Sequence, residues 1–120
     1  DVIRADGGTR TAAITGAALV INDIIDNLYQ KGKLAELPAI NPLAAISVGI
    51  VDGRPLLDLD YVEDSRADVD SNFVMCKDGR LVEVQCTAEG APFSREDFND
   101  LSDLAFQGIS NIFNHWPSAD

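Results

Sequence analysis

Two Asp-Gly pairs, Asp52-Gly53 and Asp78-Gly79, each stand between runs of alternating apolar and polar residues, and they restrict the fold more than any other feature of the sequence. A two-residue hairpin turn needs positive φ at its central positions, which Asp tolerates and Gly adopts freely, so each pair predicts two tightly joined antiparallel strands. The first hairpin is predicted over residues 45–51 and 54–62. Pairing about Asp52-Gly53 sets Ile46, Val48, Ile50, Leu57, Leu59 and Tyr61 on one face and Ser47, Gly49, Asp58 and Asp60 on the other. The first face is expected to make core and the second to be free for chemistry. The second hairpin is predicted over residues 71–76 and 80–86, with Cys76 opposite Leu81 and Met75 opposite Val82. That register puts Cys86 on the face of Met75, Val82 and Val84 and Cys76 on the other, so the two cannot bridge. Both read as reduced thiols, and a single histidine, His115, rules out a Cys/His zinc cluster.

Helices flank these strands. Residues 1–4 read as the tail of a strand. From about Arg10 to Lys31, Ile14, Ala17, Ala18, Ile21, Ile25 and Leu28 recur at helical spacing, and Leu19, Val20 and Ile24 widen the stripe, which predicts a largely buried helix. Gly32 is its expected stop. Gly16 lowers helix propensity by about 1 kcal/mol relative to Ala, which suggests that another backbone passes close by. Residues 32–42 form the crossover, with Pro38 and Pro42 ending any helix before them. The last helix opens at Ser94, an N-cap with Asp97 three residues on, Phe93 and Phe98 as a hydrophobic staple, and Phe98, Leu101, Ala105 and Ile112 as its apolar face. A helix, two hairpins and a packing helix make an α+β fold, with residues 117–120 as a frayed tail and no internal repeat.

Size and charge narrow the function. At 120 residues the chain can form one domain with a modest core. No apolar run reaches the ~18 residues that span a bilayer, and no signal-peptide pattern is present, which predicts a cytoplasmic protein with no membrane partner. A first residue of Asp1 rather than methionine predicts a fragment, an expressed segment or a processed product. Nine basic against twenty acidic side chains give a formal charge of -11, a surface that repels nucleic-acid phosphates.

Two stretches can carry chemistry. Asp6-Gly7-Gly8-Thr9-Arg10-Thr11 runs from a small polar loop into the first helix, where glycines admit a ligand close to the backbone and unpaired N–H groups meet it. The Thr9 and Thr11 hydroxyls and the Arg10 guanidinium add donors for a phosphate. The spacing is not that of a Walker A loop, and Gly-Gly before a helix is more often a plain turn, so the residues alone leave both readings open. Glu63, Asp64, Asp68 and Asp70 form an acidic run between the hairpins. It is either a solvated turn or, if Asp64 and Asp70 converge, an oxygen-ligand site of the kind that suits Mg²⁺. His115, beside Trp116, reads as a packing residue rather than a general base.

Asp6-Gly7-Gly8-Thr9-Arg10-Thr11-Ala12, Ile14-Thr15-Gly16-Ala17, Ser47-Val48-Gly49-Ile50-Val51, Asp58-Leu59-Asp60-Tyr61-Val62-Glu63-Asp64-Ser65, Val82-Glu83-Val84-Gln85 and Thr87-Ala88-Glu89-Gly90 follow one another in the order of the ribonuclease PH family, which this chain resembles. The resemblance runs from Asp1 to about Arg95 and covers only the C-terminal half of such a protein. It implies a ribosomal protein S5 domain 2-like fold, with residues 1–42 closing the first ribonuclease PH domain and residues 43–116 forming the second. It also implies a 3′-to-5′ exoribonuclease and tRNA nucleotidyltransferase that trims transfer-RNA precursors by phosphorolysis, with inorganic phosphate as co-substrate and nucleoside diphosphates released. By the same resemblance Gly8, Thr9 and Arg10 bind phosphate, and Asp64 and Asp70 are catalytic and hold Mg²⁺. Arg66 either reaches the phosphate or neutralises those two aspartates, the second being favoured. The implied partners are the 3′ end of an RNA, the missing N-terminal half as the same or a separate chain, and further copies in a hexameric ring. A second phosphate-binding arginine of the family would lie upstream of Asp1, so the chain alone carries half a site. It departs from the family at Ser71, where a methionine is usual between Asp70 and Asn72, and at Cys86, where a glycine is usual. The competing readings are a non-catalytic subunit or inactive remnant of such a ring, and an acidic binding module of unrelated ancestry. Retention of Thr9, Arg10, Asp64 and Asp70 counts against the former.

Overall fold

A computed structural model describes residues 9–38, 41–57 and 66–116. Helix α1 (Thr9–Gln30) is followed by strands β1 (Leu43–Val51), β2 (Arg54–Leu57), β3 (Val69–Cys76) and β4 (Leu81–Ala88), and by helix α2 (Arg95–Asn114). The strands make one antiparallel sheet in the order β2-β1-β3-β4. This is the predicted α+β architecture. No helix among the described residues is long and apolar enough to cross a membrane.

The two Asp-Gly turns resolve differently. Asp52 and Gly53 have φ of 51° and 76°, the doubly positive pair of a tight hairpin, and Val51 pairs with Arg54 as expected. At the second turn only Gly79 is left-handed, with φ of 90°. Its N–H donates to the Cys76 carbonyl at 2.9 Å, and Cys76 N–H donates to the Arg80 carbonyl at 2.8 Å, so Cys76 faces Arg80 rather than Leu81. Met75 then pairs with Leu81 and Val74 with Glu83, which leaves Val82 as the extra residue of a bulge. Below the bulge, from Val74↔Glu83 to Val69↔Ala88, the register is the one expected for a two-residue turn. The longer turn is favoured by Asp78, whose carboxylate accepts from Arg80 N–H at 3.0 Å, Arg80 Nε at 2.9 Å and Asn41 Nδ2 at 3.3 Å. The backbone bond from Arg80, ahead of the side-chain contacts, holds this carboxyl below its ordinary range.

The core lies between the sheet and α2. Ile46, Val48 and Ile50 of β1 and Val69, Phe73 and Met75 of β3 project to one face and bury against Leu101, Ala105 and Ile109. Ser94 and Asp97 form the predicted capping box, with both reciprocal bonds at 3.0 Å, and Phe93 and Phe98 pack on the core. The buried stripe of α2 also includes Gly108 and Ile109, beyond the expected positions. A Cβ on Gly108 would collide with Ile46 and come within 2.8 Å of Leu57 Cδ1, so any larger residue there would force the ends of those two side chains to shift. His115 caps α2, its Nδ1 2.8 Å from the Asn111 carbonyl, with the Trp116 ring tilted against that of Phe113 at 5.0 Å between centroids.

Three expectations need correction. The β1 face opposite the core is not free for chemistry, because Ala45, Ser47, Gly49 and Val51 are buried too. Helix α1 ends as predicted, with Gly32 at φ 71° and Lys33 N–H reaching back to the Leu28 carbonyl at 2.9 Å. Yet it is not largely buried: Val20, Ile21 and Ile24 are each more than half exposed, at 56%, 54% and 53%. Nor does a backbone fill the side of Gly16 that its missing Cβ leaves open, where an added Cβ would meet nothing within 4 Å among the described residues. Leu59 and Tyr61, expected on the core face, lie outside the described residues.

Candidate functional site

The face of the sheet turned away from α2 carries the polar residues. Register places three cross-strand rows on it: Ala45, Val74 and Glu83; Ser47, Asn72 and Gln85; and Gly49, Asp70 and Thr87. Helix α1 meets the first row at both ends. The Thr15 hydroxyl accepts from Ala45 N–H at 2.9 Å and lies 3.2 Å from the Ala45 carbonyl, while Arg10 Nη2 donates to both Glu83 carboxylate oxygens at 3.0 and 2.9 Å. The five residue steps from Arg10 to Thr15 rise roughly 7.5 Å along a helix, comparable to the roughly 9.6 Å between β1 and β4 across two strand spacings. The start of α1 therefore crosses the strands, which accounts for the burial of Ala45 and Val74.

Arg10 thus stands in the first turn of α1, where the helix dipole favours an anion. Its ion pair with Glu83 is partly open to solvent, with side-chain exposures of 53% and 38%. Asp70 is half-buried on the same sheet face, two rows further along. Four residues of strand separate Thr87, its partner across the ladder, from Glu83, a distance of roughly 13 Å. The structure therefore brings Arg10 and Asp70 to one face without putting them in contact.

Of the other residues singled out in the sequence, Thr9 opens α1 and its side chain is outside the described set. Gly8 and Asp64 lie outside the described residues. Arg66 pairs with Asp52 at 3.4 Å, both well exposed, instead of serving Asp70. Among the described residues no three His, Cys, Asp or Glu side chains converge as a metal-binding group. No motif in the sequence marks Glu83, although the alternation Val82-Glu83-Val84-Gln85 puts it on the polar face.

Cys86 lies opposite Ser71, partly buried against the core. The Ser71 hydroxyl donates to the Val48 carbonyl at 2.7 Å, which satisfies a buried polar group in the place of the usual methionine. Desolvation pushes the Cys86 thiol up from 9.0, reinforced by the nearby Asp70 charge and opposed by a hydrogen bond with Ser71. Both cysteines are free, as expected. Because the folded value is raised, the neutral thiol supports the fold below its ordinary value, and that support is lost as pH rises above it. Wild-type protein is therefore expected to lose more stability than Cys86→Ala as pH rises above 9.0, checked by urea unfolding on either side of that pH.

An antiparallel sheet with a packing helix on one face and a crossing helix on the other is a shared fold. Rice (Oryza sativa) Rrp46 matches with a TM-score of 0.65 at 20% identity, over 94% of this chain and 48% of that one. A chain of the Archaeoglobus fulgidus exosome with RNA bound to the active site matches with a TM-score of 0.57 at 21% identity, over 73% of this chain and 35% of that one. Residues 41–108 match the model of the 3′ exoribonuclease family, domain 2. The chain belongs to that family. It is 57% identical over 112 residues to ribonuclease PH of Synechococcus sp. (strain CC9605), a match that takes in 93% of this chain and 45% of that protein. The chain thus spans a little under half the length of this relative.

Proposed function

We propose that this chain is the C-terminal part of a phosphorolytic 3′-to-5′ exoribonuclease that trims transfer-RNA precursors. The observation that carries the proposal is the 57% identity with a ribonuclease PH across nearly the whole chain. In the reaction, an oxygen of inorganic phosphate attacks the last 3′ phosphodiester of the RNA. A new P–O bond forms, the bond to the 3′ oxygen breaks, and that oxygen takes up a proton as the nucleoside diphosphate leaves. Gly8, Thr9 and Arg10 bind the phosphate, with the guanidinium and the first N–H groups of α1 holding its oxygens in line. Asp70 acts at the leaving oxygen together with Asp64. The Asp70 carboxylate shares its sheet face with the oxygens of Asn72, Gln85 and Thr87, a hard donor set compatible with magnesium, and Asp64 and Asp70 would hold the ion. Bound there, Mg²⁺ would neutralise charge developing on the leaving group.

The uncovered apolar face of α1 supports a partner. Val20, Ile21 and Ile24 stand in water, and Ile14, Ala17, Ala18, Ile21, Pro42 and Leu43 line an apolar hollow of about 360 Å³. The N-terminal portion found in ribonuclease PH relatives would cover this surface and bring the second phosphate-binding arginine. The assembled protein would then form a ring with further copies.

The test joins this chain to that N-terminal portion and supplies RNA bearing extra 3′ nucleotides, phosphate and magnesium. Nucleoside diphosphates are expected in proportion to phosphate, and the 120-residue chain alone is expected to release almost none. Nucleoside monophosphates, formed without a need for phosphate, would overturn the mechanism.

A further inference from the structure

We infer that Glu83 is an internal counter-anion for Arg10, one that inorganic phosphate must displace before it can be held for reaction. The inference rests on the proposed phosphate role of Arg10 and adds a residue to which nothing above assigns a part. Glu83 comes from β4, 73 positions along the chain, and both of its oxygens lie within hydrogen-bonding distance of Arg10 Nη2, at 3.0 and 2.9 Å. A carboxylate there presents two anionic oxygens to the guanidinium, as phosphate would, so the two anions compete for the same donor. Simultaneous occupation would set two negative groups side by side, which disfavours the complex.

The geometry also explains why the competition is winnable. The pair is partly exposed and joins the first turn of a helix to an outer strand of the described sheet, so water screens it and no core contact depends on it. A dianionic phosphate can take up the helix N–H groups as well as the guanidinium, whereas the Glu83 carboxylate is tethered to the strand. Glu83 is accordingly a positioning residue: it holds the Arg10 side chain over the polar face while phosphate is absent, and it raises the phosphate concentration needed to fill the seat.

The test is an NMR titration of the 120-residue chain with inorganic phosphate at fixed ionic strength, following the backbone amide signals of the first turn of α1 in wild type, Glu83→Gln, Glu83→Asp and Arg10→Ala, and the Arg10 guanidinium signal in the three proteins that keep the arginine. Glu83→Gln keeps the shape and removes the charge, and is expected to tighten phosphate binding about two- to fivefold, the range of an exposed ion pair. Glu83→Asp should restore the wild-type affinity in part. Unchanged or weaker binding by Glu83→Gln, with its circular dichroism and unfolding midpoint as in wild type, overturns the inference. Should this happen while the assembled enzyme still releases nucleoside diphosphates, the proposed function stands without it. If instead Arg10→Ala binds phosphate as well as wild type does, the phosphate seat falls and the inference with it. In the assembled enzyme Glu83→Gln should lower the KM for phosphate with kcat as in wild type, a split that a purely structural role of Glu83 would not produce.

Discussion

Arg10→Ala in the assembled enzyme is expected to raise the phosphate requirement and slow phosphorolysis by about 2–4 kcal/mol of transition-state stabilisation, or roughly 30- to 1,000-fold. The contact from the guanidinium should strengthen as charge gathers on the transferring group, so the loss should appear in turnover as well as in phosphate affinity. RNA affinity should change little, because the body of the RNA does not depend on this seat. Stability should fall by no more than about 1 kcal/mol, since the group given up is a solvent-reachable ion pair with Glu83 and no cavity opens. Steady-state kinetics with varied phosphate, set beside a thermal melt, checks each part. Undiminished phosphate-dependent turnover would reduce the loop before α1 to an ordinary turn.

Phe73→Ala should have the largest effect on the fold itself, a loss of about 3–5 kcal/mol. Phe73 is fully buried in β3, between the sheet and α2, and its ring lies 6.3 Å from that of Phe98. Truncation would open a void under a helix and remove an aromatic pair together. Since a domain of this size is stable by only about 5–15 kcal/mol, much of the chain should unfold at modest urea concentrations. By contrast Val82→Ala, at a bulged position more than half exposed, should stay within about 0.5 kcal/mol of wild type. Urea unfolding followed by circular dichroism separates the two outcomes.

What the sequence discloses here follows the range of the forces involved. The Asp52-Gly53 turn, the Ser94 and Asp97 capping box and the Gly32 helix stop depend on neighbours a few residues away, and each is readable from the local string. The turn at Asp78-Gly79 shows where that reading stops. Its dipeptide is the same, but the Asp78 carboxylate gains Asn41 from before β1 and Arg80 beyond the turn, and these contacts accompany a longer turn with a compensating bulge at Val82. Helix α1 is a second instance: its apolar stripe states which side needs cover without stating which part of a protein supplies it. The Arg10–Glu83 pair is a third. The Arg10 motif and the Val82-Glu83-Val84-Gln85 alternation were both visible, but their meeting is a property of how α1 crosses the sheet. The motif singles out Asp70 as a candidate, while its place on the same face as Arg10 depends on the strand register.

The exposed stripe on α1 also bears on how copies of this chain behave together in solution. Attraction between bare Val20, Ile21 and Ile24 side chains acts only at contact, whereas repulsion between molecules of net charge -11 acts over the Debye length. At about 10 mM salt that length is ~30 Å and exceeds the reach of the sticky surface, while at about 150 mM it shrinks to ~8 Å. Colloidal behaviour should therefore invert with ionic strength, dilute buffer keeping the molecules dispersed and ordinary saline letting them gather through α1.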